Sequence, residues 1–247
     1  PASTPTATPT ATLGHTPSPT PTPTATPGTT PQAVGAPRME SRKLVEALRR
    51  GGYVIYFRHA ATDFSQPNTG QGPEWWRSCD PTVVRQLNDA GRAQARSIGQ
   101  AFTALDIPVG EVLSSEFCRC AETARLAFGR VTLEPDLSSF GTAEDEAEQQ
   151  RRTEALRRLL STPTPANTNT VLVGHLFNIQ AAAGVSLPEG GAAIFEPLGD
   201  AGFRLIAEVP SEEWTRLADS VAMSGIPVIS SSKNTVMPDL ASIPEGA

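Results

Sequence analysis

The chain has 247 residues, with 20 Lys and Arg against 26 Asp and Glu, and a formal net charge of −6. This acidic balance disfavours a nucleic-acid partner, because contact with a phosphate backbone needs an excess of Lys and Arg. No apolar run approaches the roughly 18 residues that a membrane-spanning helix needs, so we expect no transmembrane segment in this chain.

Residues 1–37 contain no charged side chain and hold 10 of the 23 prolines. Fixed prolyl φ angles and a lack of apolar bulk favour an extended chain, so we interpret this Pro/Thr/Ala repeat as a disordered linker. Such stalks join an anchor to a folded domain, which predicts an extracytoplasmic protein, secreted or tethered to the cell surface. A disordered intracellular tail is the alternative. The sequence starts without Met or an apolar export segment, which we interpret as a processed or trimmed end.

Residues 38–220 alternate between helical and strand patterns and form the predicted folded domain. A helix in residues 41–50 leads into an apolar strand, YVIYF, which is typical of a strand covered on both faces. A Gly/Pro/Asn-rich loop follows in residues 65–81. The next elements are the helix LNDAGRAQARSIGQAFTAL, the strand VGEVLSSE, the helix FCRCAETARLAFG, the short strand VTLEP, the helix EDEAEQQRRTEALRRLL and the buried strand TVLVGH.

The last part of the domain has a different pattern. A helix start, LFNIQAAAG, is followed by a predicted hairpin of AAIFEPL and FRLIAEV and by a closing helix, PSEEWTRLAD. Residues 221–247 show no clear period, and we expect an irregular C-terminal segment there. The alternation predicts an α/β fold: a three-layer αβα sandwich with a mainly parallel sheet and a binding crevice at the carboxyl ends of its strands.

Two of the three histidines directly follow strands of the buried type. His59 ends YVIYFRH and His175 ends TVLVGH, whereas His15 lies in the linker. If these two strands are neighbours in the sheet, both imidazoles lie in one crevice. A histidine at a strand end is also compatible with a purely structural role.

Two arginines favour an anion site in this crevice. A guanidinium beside an imidazole, as at Arg58, is costly to bury unless an anion meets it. Arg119 lies at the start of the helix after the second strand, where backbone N–H groups also favour a phosphate. The alternative for Arg119 is a surface salt bridge to Glu116 or Glu122. Two guanidiniums and two imidazoles together predict a pocket for a tetrahedral dianion.

These segments together resemble the histidine phosphatase superfamily, also called the phosphoglycerate-mutase-like superfamily. The resemblance extends from about Gly52 to Ile179. YFRHAATD is similar to the RHG-type signature of that superfamily, LNDAGRAQARSIGQAF to its first helix, SSEFCRCAETA to its second-arginine segment and VLVGH to its second-histidine strand.

The resemblance implies a phosphatase that hydrolyses phosphate monoesters through a phosphohistidine intermediate on His59. Arg58, Arg119 and His175 would stabilise the phosphoryl oxygens, and Thr62 would occupy a substrate-binding hydroxyl position. No metal or other cofactor is implied, and the sequence has no HExxH or Walker-type GKS or GKT motif. The expected partner is a phosphorylated small molecule or surface substrate. The alternative is a stalked phosphate-binding pseudoenzyme with little or no turnover.

The acid that would protonate the leaving group is not evident from the motifs. Branches of the superfamily supply it from a Glu after the second-arginine segment or from an acidic residue just after the second histidine, where this chain has Leu176. Among Glu144, Asp145 and Asp136 we favour Glu144, because a lid-like loop would swing it inward. Alternatively, Glu144 only favours the amino end of the helix that follows it.

Three cysteines lie in the folded domain, and their spacing is not that of a zinc site. Cys118 and Cys120 are two residues apart on a predicted helix and point to opposite sides, so only one of them can readily meet Cys79. We predict a disulfide between Cys79 and Cys118. It would hold the long loop in place and would fit an oxidising compartment.

Overall fold

The computed structural model describes residues 41–223, so the predictions for residues 1–37 and for residues 224–247 lie outside the described part of the chain. Helices and strands alternate through most of this range, as the sequence patterns predict. The helices are α1 (Ser41–Arg50), α2 (Asp89–Ala104), α3 (Cys118–Phe128), α4 (Glu146–Ser161), α5 (Leu176–Ala183) and α6 (Ser211–Met223). The strands are β1 (Val54–Arg58), β2 (Val109–Ser114), β3 (Thr132–Leu133), β4 (Asn169–Gly174), β5 (Ala192–Pro197) and β6 (Phe203–Val209).

These six strands form one sheet in the order β3-β2-β4-β1-β5-β6. The first four in this order run parallel to one another, whereas β5 is antiparallel to β1 and β6 is antiparallel to β5. The predicted hairpin is therefore present at one edge of a mainly parallel sheet. Helices cover both faces, which confirms the predicted α/β fold class.

The two hydrophobic cores follow from the alternation of side chains along the strands. On β1, Ile55 and Phe57 face one core, while Val54 and Tyr56 face the other. The first core is completed by residues of α1, α2, α3 and α6, and the second by residues of α4 and α5. A strand that is apolar at every position is thus buried on both sides, which is why YVIYF shows no polar alternation.

Helix boundaries agree with local capping chemistry. The Asn88 side chain accepts a hydrogen bond from the backbone N–H of Gly91 at 2.7 Å, so α2 begins at Asp89. Gly129 adopts a left-handed conformation, with φ of 71°, and ends α3. The last helix, α6, continues to Met223, three residues beyond the predicted domain end at residue 220.

The long loop between β1 and α2 is attached to the start of α3. Cys79 and Cys118 form a disulfide in the structure, with Cα atoms 5.4 Å apart. Trp75 packs edge-on against Phe117, with ring centroids 5.8 Å apart, and the Trp76 indole N–H donates to Glu116. The tryptophan pair, which belongs to the loop, therefore packs against the residues just before α3 and holds the loop there.

The disulfide connects residues that are 39 positions apart in sequence. Constraining a loop of this length in the unfolded chain stabilises the fold by about 3 to 4 kcal/mol in the chain-entropy model. We expect the Cys79→Ser/Cys118→Ser double variant to lose free energy of unfolding in this range, measured by urea denaturation. Reductant should destabilise the wild type and leave the double variant unchanged. Detection of three free thiols in the unreduced, denatured protein by alkylation and intact mass would contradict the pairing.

Candidate active site

The register of two neighbouring strands brings the two histidines together. β1 and β4 are parallel, and Arg58 at the end of β1 pairs with Gly174 at the end of β4. His59 and His175 are the next residue on each strand, so they leave the sheet side by side. Their ring centroids lie 5.6 Å apart, and both side chains are buried, at 3% and 4% exposure. The structure therefore places both imidazoles in one crevice.

A backbone contact fixes the tautomer of His59. Its Nδ1 lies 2.9 Å from the carbonyl oxygen of Ala60, and a carbonyl oxygen can only accept a hydrogen bond. Nδ1 therefore carries the proton, and Nε2 keeps a free lone pair. A neutral imidazole with an unprotonated Nε2 is the form that can attack phosphorus.

His175 is held by a different set of contacts. Its Nε2 lies 2.9 Å from the Ser115 hydroxyl, while its Nδ1 lies 3.4 Å from a guanidinium nitrogen of Arg119, which can only donate. Nε2 is therefore the protonated nitrogen and Nδ1 faces the arginine. The hydroxyl of Tyr56 donates to the His175 carbonyl at 2.8 Å and fixes the backbone beneath the ring.

Arg58 and Arg119 both have guanidinium nitrogens without a protein acceptor. The Arg58 side chain donates to the Leu187 carbonyl at 3.0 Å, and that of Arg119 to the Arg85 carbonyl at 3.3 Å. The Nε atom of each is buried and makes no hydrogen bond within the described residues. Unsatisfied buried donors of this kind are costly unless an anion meets them.

The alternative role of Arg119 as a surface salt bridge is not what the structure shows. Glu116 accepts from Trp76 and Arg77, and Glu122 accepts from Arg92 at 2.8 Å. Both carboxylates are thus engaged elsewhere, and the Arg119 side chain is buried in the crevice.

Sequence reasoning missed a carboxylate in this crevice, that of Glu189. Its Oε1 accepts a hydrogen bond from the Thr62 hydroxyl at 2.7 Å and lies 3.6 Å from Arg58 and 3.9 Å from Nδ1 of His59. Glu189 lies in the turn just before β5. Because β5 is antiparallel to β1, its amino end lies at the same edge of the sheet as the carboxyl end of β1. The signal was therefore present, in the acidic residue before the predicted hairpin. Binding of substrate by Thr62 stays a prediction.

Glu144 is not brought to the crevice. It lies in the bend before α4, where its side chain is exposed, and within residues 41–223 no hydrogen bond or ion pair joins it to the crevice. The amino end of α4 is capped by Asp145, whose carboxylate accepts from the backbone N–H of Glu148 at 2.8 Å. The role of Glu144 as the leaving-group acid stays a prediction.

Burial and positive charge together keep both imidazoles neutral. Burial is the largest cause that lowers the pKa of His59 and of His175 well below 6.5, and the charge of Arg119 lowers both further. Burial also lowers the pKa of Arg119 to about 10, so this guanidinium remains charged at neutral pH. The crevice is therefore a positively charged cavity with neutral imidazoles, which suits attack on an anionic ester.

The third cysteine, Cys120, lies beneath His175, with its sulfur 3.6 Å from Nε2. Burial raises the pKa of this thiol to about 12, which argues against a nucleophilic thiolate. Within residues 41–223 no group of three or more His, Cys, Asp and Glu side chains could hold a metal ion. No helix in the same range has both the length and the hydropathy that crossing a bilayer requires.

Comparison with known families agrees with the motifs and the geometry. Residues 54–170 match the histidine phosphatase superfamily (branch 1), which confirms the resemblance seen in the sequence. The matched segment includes Arg58, His59 and Arg119 and ends five residues before His175. Among curated proteins no sequence matches the chain significantly.

Solved structures with a similar fold include a phosphoserine phosphatase variant from Entamoeba histolytica in complex with phosphoserine. It has 14% identity and a TM-score of 0.43, and the alignment covers 65% of this chain and 98% of that one. The protein histidine phosphatase SixA complexed with tungstate has 12% identity and a TM-score of 0.42. The alignment covers 65% of this chain and 98% of SixA. TTHB049 from Thermus thermophilus has 21% identity and a TM-score of 0.43. The alignment covers 64% of this chain and 99% of TTHB049. Likeness at this level says nothing about the substrate of this chain.

The lowered pKa values predict a specific loss of stability in acid. A histidine that is neutral when folded must take up a proton on unfolding below pH 6.5, so its contribution is fully present above pH 6.5 and is lost as the pH falls towards its folded pKa. Each such histidine adds a slope of up to about 1.4 kcal/mol per pH unit. We expect His59→Gln to reduce the pH dependence of the free energy of unfolding below pH 6.5, measured by urea denaturation in phosphate-free buffer. An unchanged slope in this variant would show that His59 is protonated in the folded protein.

Proposed function

We propose that this chain, whose residues 54–170 belong to the histidine phosphatase superfamily, hydrolyses phosphate monoesters through a covalent phosphohistidine on His59. The observation that carries the proposal is the convergence of a nucleophile and its anion-binding partners. His59 and His175 lie 5.6 Å apart, and the guanidinium of Arg119 reaches the second imidazole while Arg58 flanks the first. The substrate class is a phosphorylated small molecule or a phosphorylated group on an exposed surface.

In the first step, Nε2 of His59 attacks the phosphorus atom in line with the ester oxygen. The P–O bond breaks as the P–N bond forms, and the leaving alcohol departs with the electron pair and takes up a proton. Arg58 and Arg119 stabilise the charge on the equatorial oxygens through Nε donors that have no acceptor among residues 41–223. His175 stays neutral and holds Arg119 in place through its Nδ1, which lies 3.4 Å from a guanidinium nitrogen of that arginine.

Glu189 has a position that suits the phosphorylated state of His59. The ring becomes cationic when Nε2 bonds to phosphorus, and the Glu189 carboxylate lies near Nδ1, on the side away from the attack. Thr62 holds this carboxylate through its hydroxyl and its backbone N–H. Since the leaving group departs on the opposite side of the phosphoryl group from His59, we assign Glu189 to charge stabilisation. This role differs from that of the leaving-group acid, for which Glu144 stays the prediction.

In the second step, water attacks phosphorus, the P–N bond breaks and inorganic phosphate leaves with His59 restored to its neutral form. Every group in these steps belongs to the chain itself, so we propose a mechanism without a metal ion. The specific alternative is a phosphate-binding module with little turnover, which the exposed position of Glu144 favours because the acid expected from the sequence lies away from the crevice.

We also propose that the protein works outside the cytoplasm. Two features support this location: the Pro/Thr-rich segment at residues 1–37 and the disulfide between Cys79 and Cys118. Disulfides persist in oxidising compartments and are rare in the cytosol.

Turnover of p-nitrophenyl phosphate distinguishes the proposed enzyme from the phosphate-binding module. We expect the wild type to hydrolyse p-nitrophenyl phosphate with chelator present, and His59→Ala to lose at least about 10³-fold in kcat while remaining folded by circular dichroism. A labelled, base-stable and acid-labile phosphoryl group should be trapped on the wild type and on the matched control His15→Ala, which removes the histidine of the predicted linker, and should be absent from His59→Ala. Phosphate binding without turnover in the wild type would identify the module instead.

The assignment of Glu189 predicts a loss that does not depend on the leaving group. We expect Glu189→Gln to lower kcat/KM by about tenfold or more for aryl and alkyl phosphates alike, because the charge near Nδ1 is lost for every substrate. Loss of an acid costs more as the pKa of the leaving alcohol rises. If Glu144 is the acid, Glu144→Gln tested on the same substrates should show a loss in kcat/KM that grows with the pKa of the leaving alcohol. A loss that grows steeply with leaving-group pKa in Glu189→Gln would make Glu189 the acid.

A further inference from the structure

A third guanidinium, that of Arg85, lies beside the two that the motifs identify. Its backbone carbonyl accepts a hydrogen bond from the Arg119 side chain at 3.3 Å, which places this residue directly at the crevice. Its Nε atom is buried and, within residues 41–223, has no hydrogen-bond partner.

The Arg85 side chain is positioned by an aromatic ring. Thr62 and Leu87 form an isolated antiparallel bridge, and Phe64 and Arg85 lie two residues beyond it on the two facing segments. The guanidinium carbon lies 4.4 Å from the centroid of the Phe64 ring. Stacking of this kind orients the planar guanidinium without using its N–H donors. Phe64 is 70% exposed, so its ring is available to stack on the Arg85 guanidinium.

The charges around the crevice favour a doubly charged ligand. Arg58, Arg85 and Arg119 bring three positive charges and Glu189 brings one negative charge, while both imidazoles are neutral. The resulting local charge of +2 is balanced by one phosphate monoester dianion. Without Arg85 the local charge would be +1, which a phosphodiester anion would already balance.

The electrostatic coupling between Arg85 and the crevice agrees with this placement. Burial is the main cause that lowers the pKa of Arg58 and of Arg119, and the charge of Arg85 lowers both further. Three like charges share one carboxylate, that of Glu189, and a bound phosphoryl group would lower the remaining cost of bringing them together.

We propose that Arg85 is a third phosphoryl-binding residue, held by Phe64, and that it selects phosphate monoesters over phosphodiesters. The selectivity rests on the hydrolysis proposed above, whereas the binding of inorganic phosphate by Arg85 does not. Arg85 contacts the ligand, and Phe64 acts through Arg85 as a positioning residue.

The test uses the full chain and two readouts. The first is the dissociation constant of inorganic phosphate from isothermal titration calorimetry. The second is kcat/KM for p-nitrophenyl phosphate, a dianion, and for bis(p-nitrophenyl) phosphate, a monoanion. Arg85→Ala keeps the backbone carbonyl that Arg119 contacts, so this variant removes only the side chain.

We expect Arg85→Ala to weaken phosphate binding by about tenfold or more, as loss of a charge-assisted hydrogen bond does. It should lower kcat/KM for the monoester by about tenfold more than for the diester. Arg85→Lys keeps the positive charge without the planar guanidinium. Its phosphate affinity and its kcat/KM for the monoester should lie between those of the wild type and Arg85→Ala. Phe64→Leu should weaken phosphate binding by about threefold, the effect of a lost cation–π contact.

The matched control is Arg96→Ala, which removes an exposed arginine beside Ala127 at the far end of α3. Phosphate affinity in this variant should stay within about twofold of the wild type, whereas a general charge effect would weaken it as much as Arg85→Ala does. Thermal unfolding without phosphate shows whether each variant is folded, and Arg85→Lys replaces Arg85→Ala if the latter is not.

The outcomes separate the two proposals. Wild-type phosphate affinity in Arg85→Ala, with turnover intact, would overturn the role of Arg85 and leave the hydrolysis standing. Phosphate binding that depends on Arg85 in a chain that turns over neither ester would overturn the hydrolysis and leave the binding role standing. Equal losses on the monoester and the diester would overturn the selectivity.

Discussion

The candidate site depends on the parallel pairing of β1 with β4. The backbone N–H of His59 donates to the Gly174 carbonyl at 3.0 Å, which is the last hydrogen bond of this pair of strands. Because the register is fixed by apolar residues that face two separate cores, a shift by one residue would exchange the two faces of a strand. The distance between His59 and His175 is therefore set by the hydrophobic core of the domain.

The second constraint is electrostatic. The fold brings three guanidiniums into a buried crevice and offers them one carboxylate, Glu189, and a few backbone carbonyls. Such an arrangement opposes folding in isolation, since like charges repel and buried donors lack acceptors. Under the proposed function, a bound oxyanion offsets both costs by pairing with these donors. The buried guanidinium nitrogens that lack acceptors are thus the groups that we propose bind the phosphoryl oxygens.

The parts of this site that could be predicted from sequence are those with local patterns. His59 and His175 each follow a run of buried-strand residues, and Arg119 starts a helix after such a run, so strand ends and helix starts identified them. Glu189 and Arg85 lie in irregular turns, and their positions depend on tertiary contacts that no periodicity encodes. The edge of the sheet on which Glu189 lies could have been inferred from the predicted antiparallel hairpin. Arg85 offers no comparable signal, because its neighbour in space, Phe64, is 21 residues away in sequence.

Two glycines show where the crevice leaves no room. A Cβ atom on Gly174 would lie 2.3 Å from the hydroxyl oxygen of Tyr56, and one on Gly91 would lie 1.9 Å from the Ala61 carbonyl oxygen. Both clashes involve segments that carry the imidazoles, because Gly174 directly precedes His175 and Ala61 follows His59 by two residues. A side chain at either glycine would displace one of these segments, so laboratory evolution of the chain should retain both glycines.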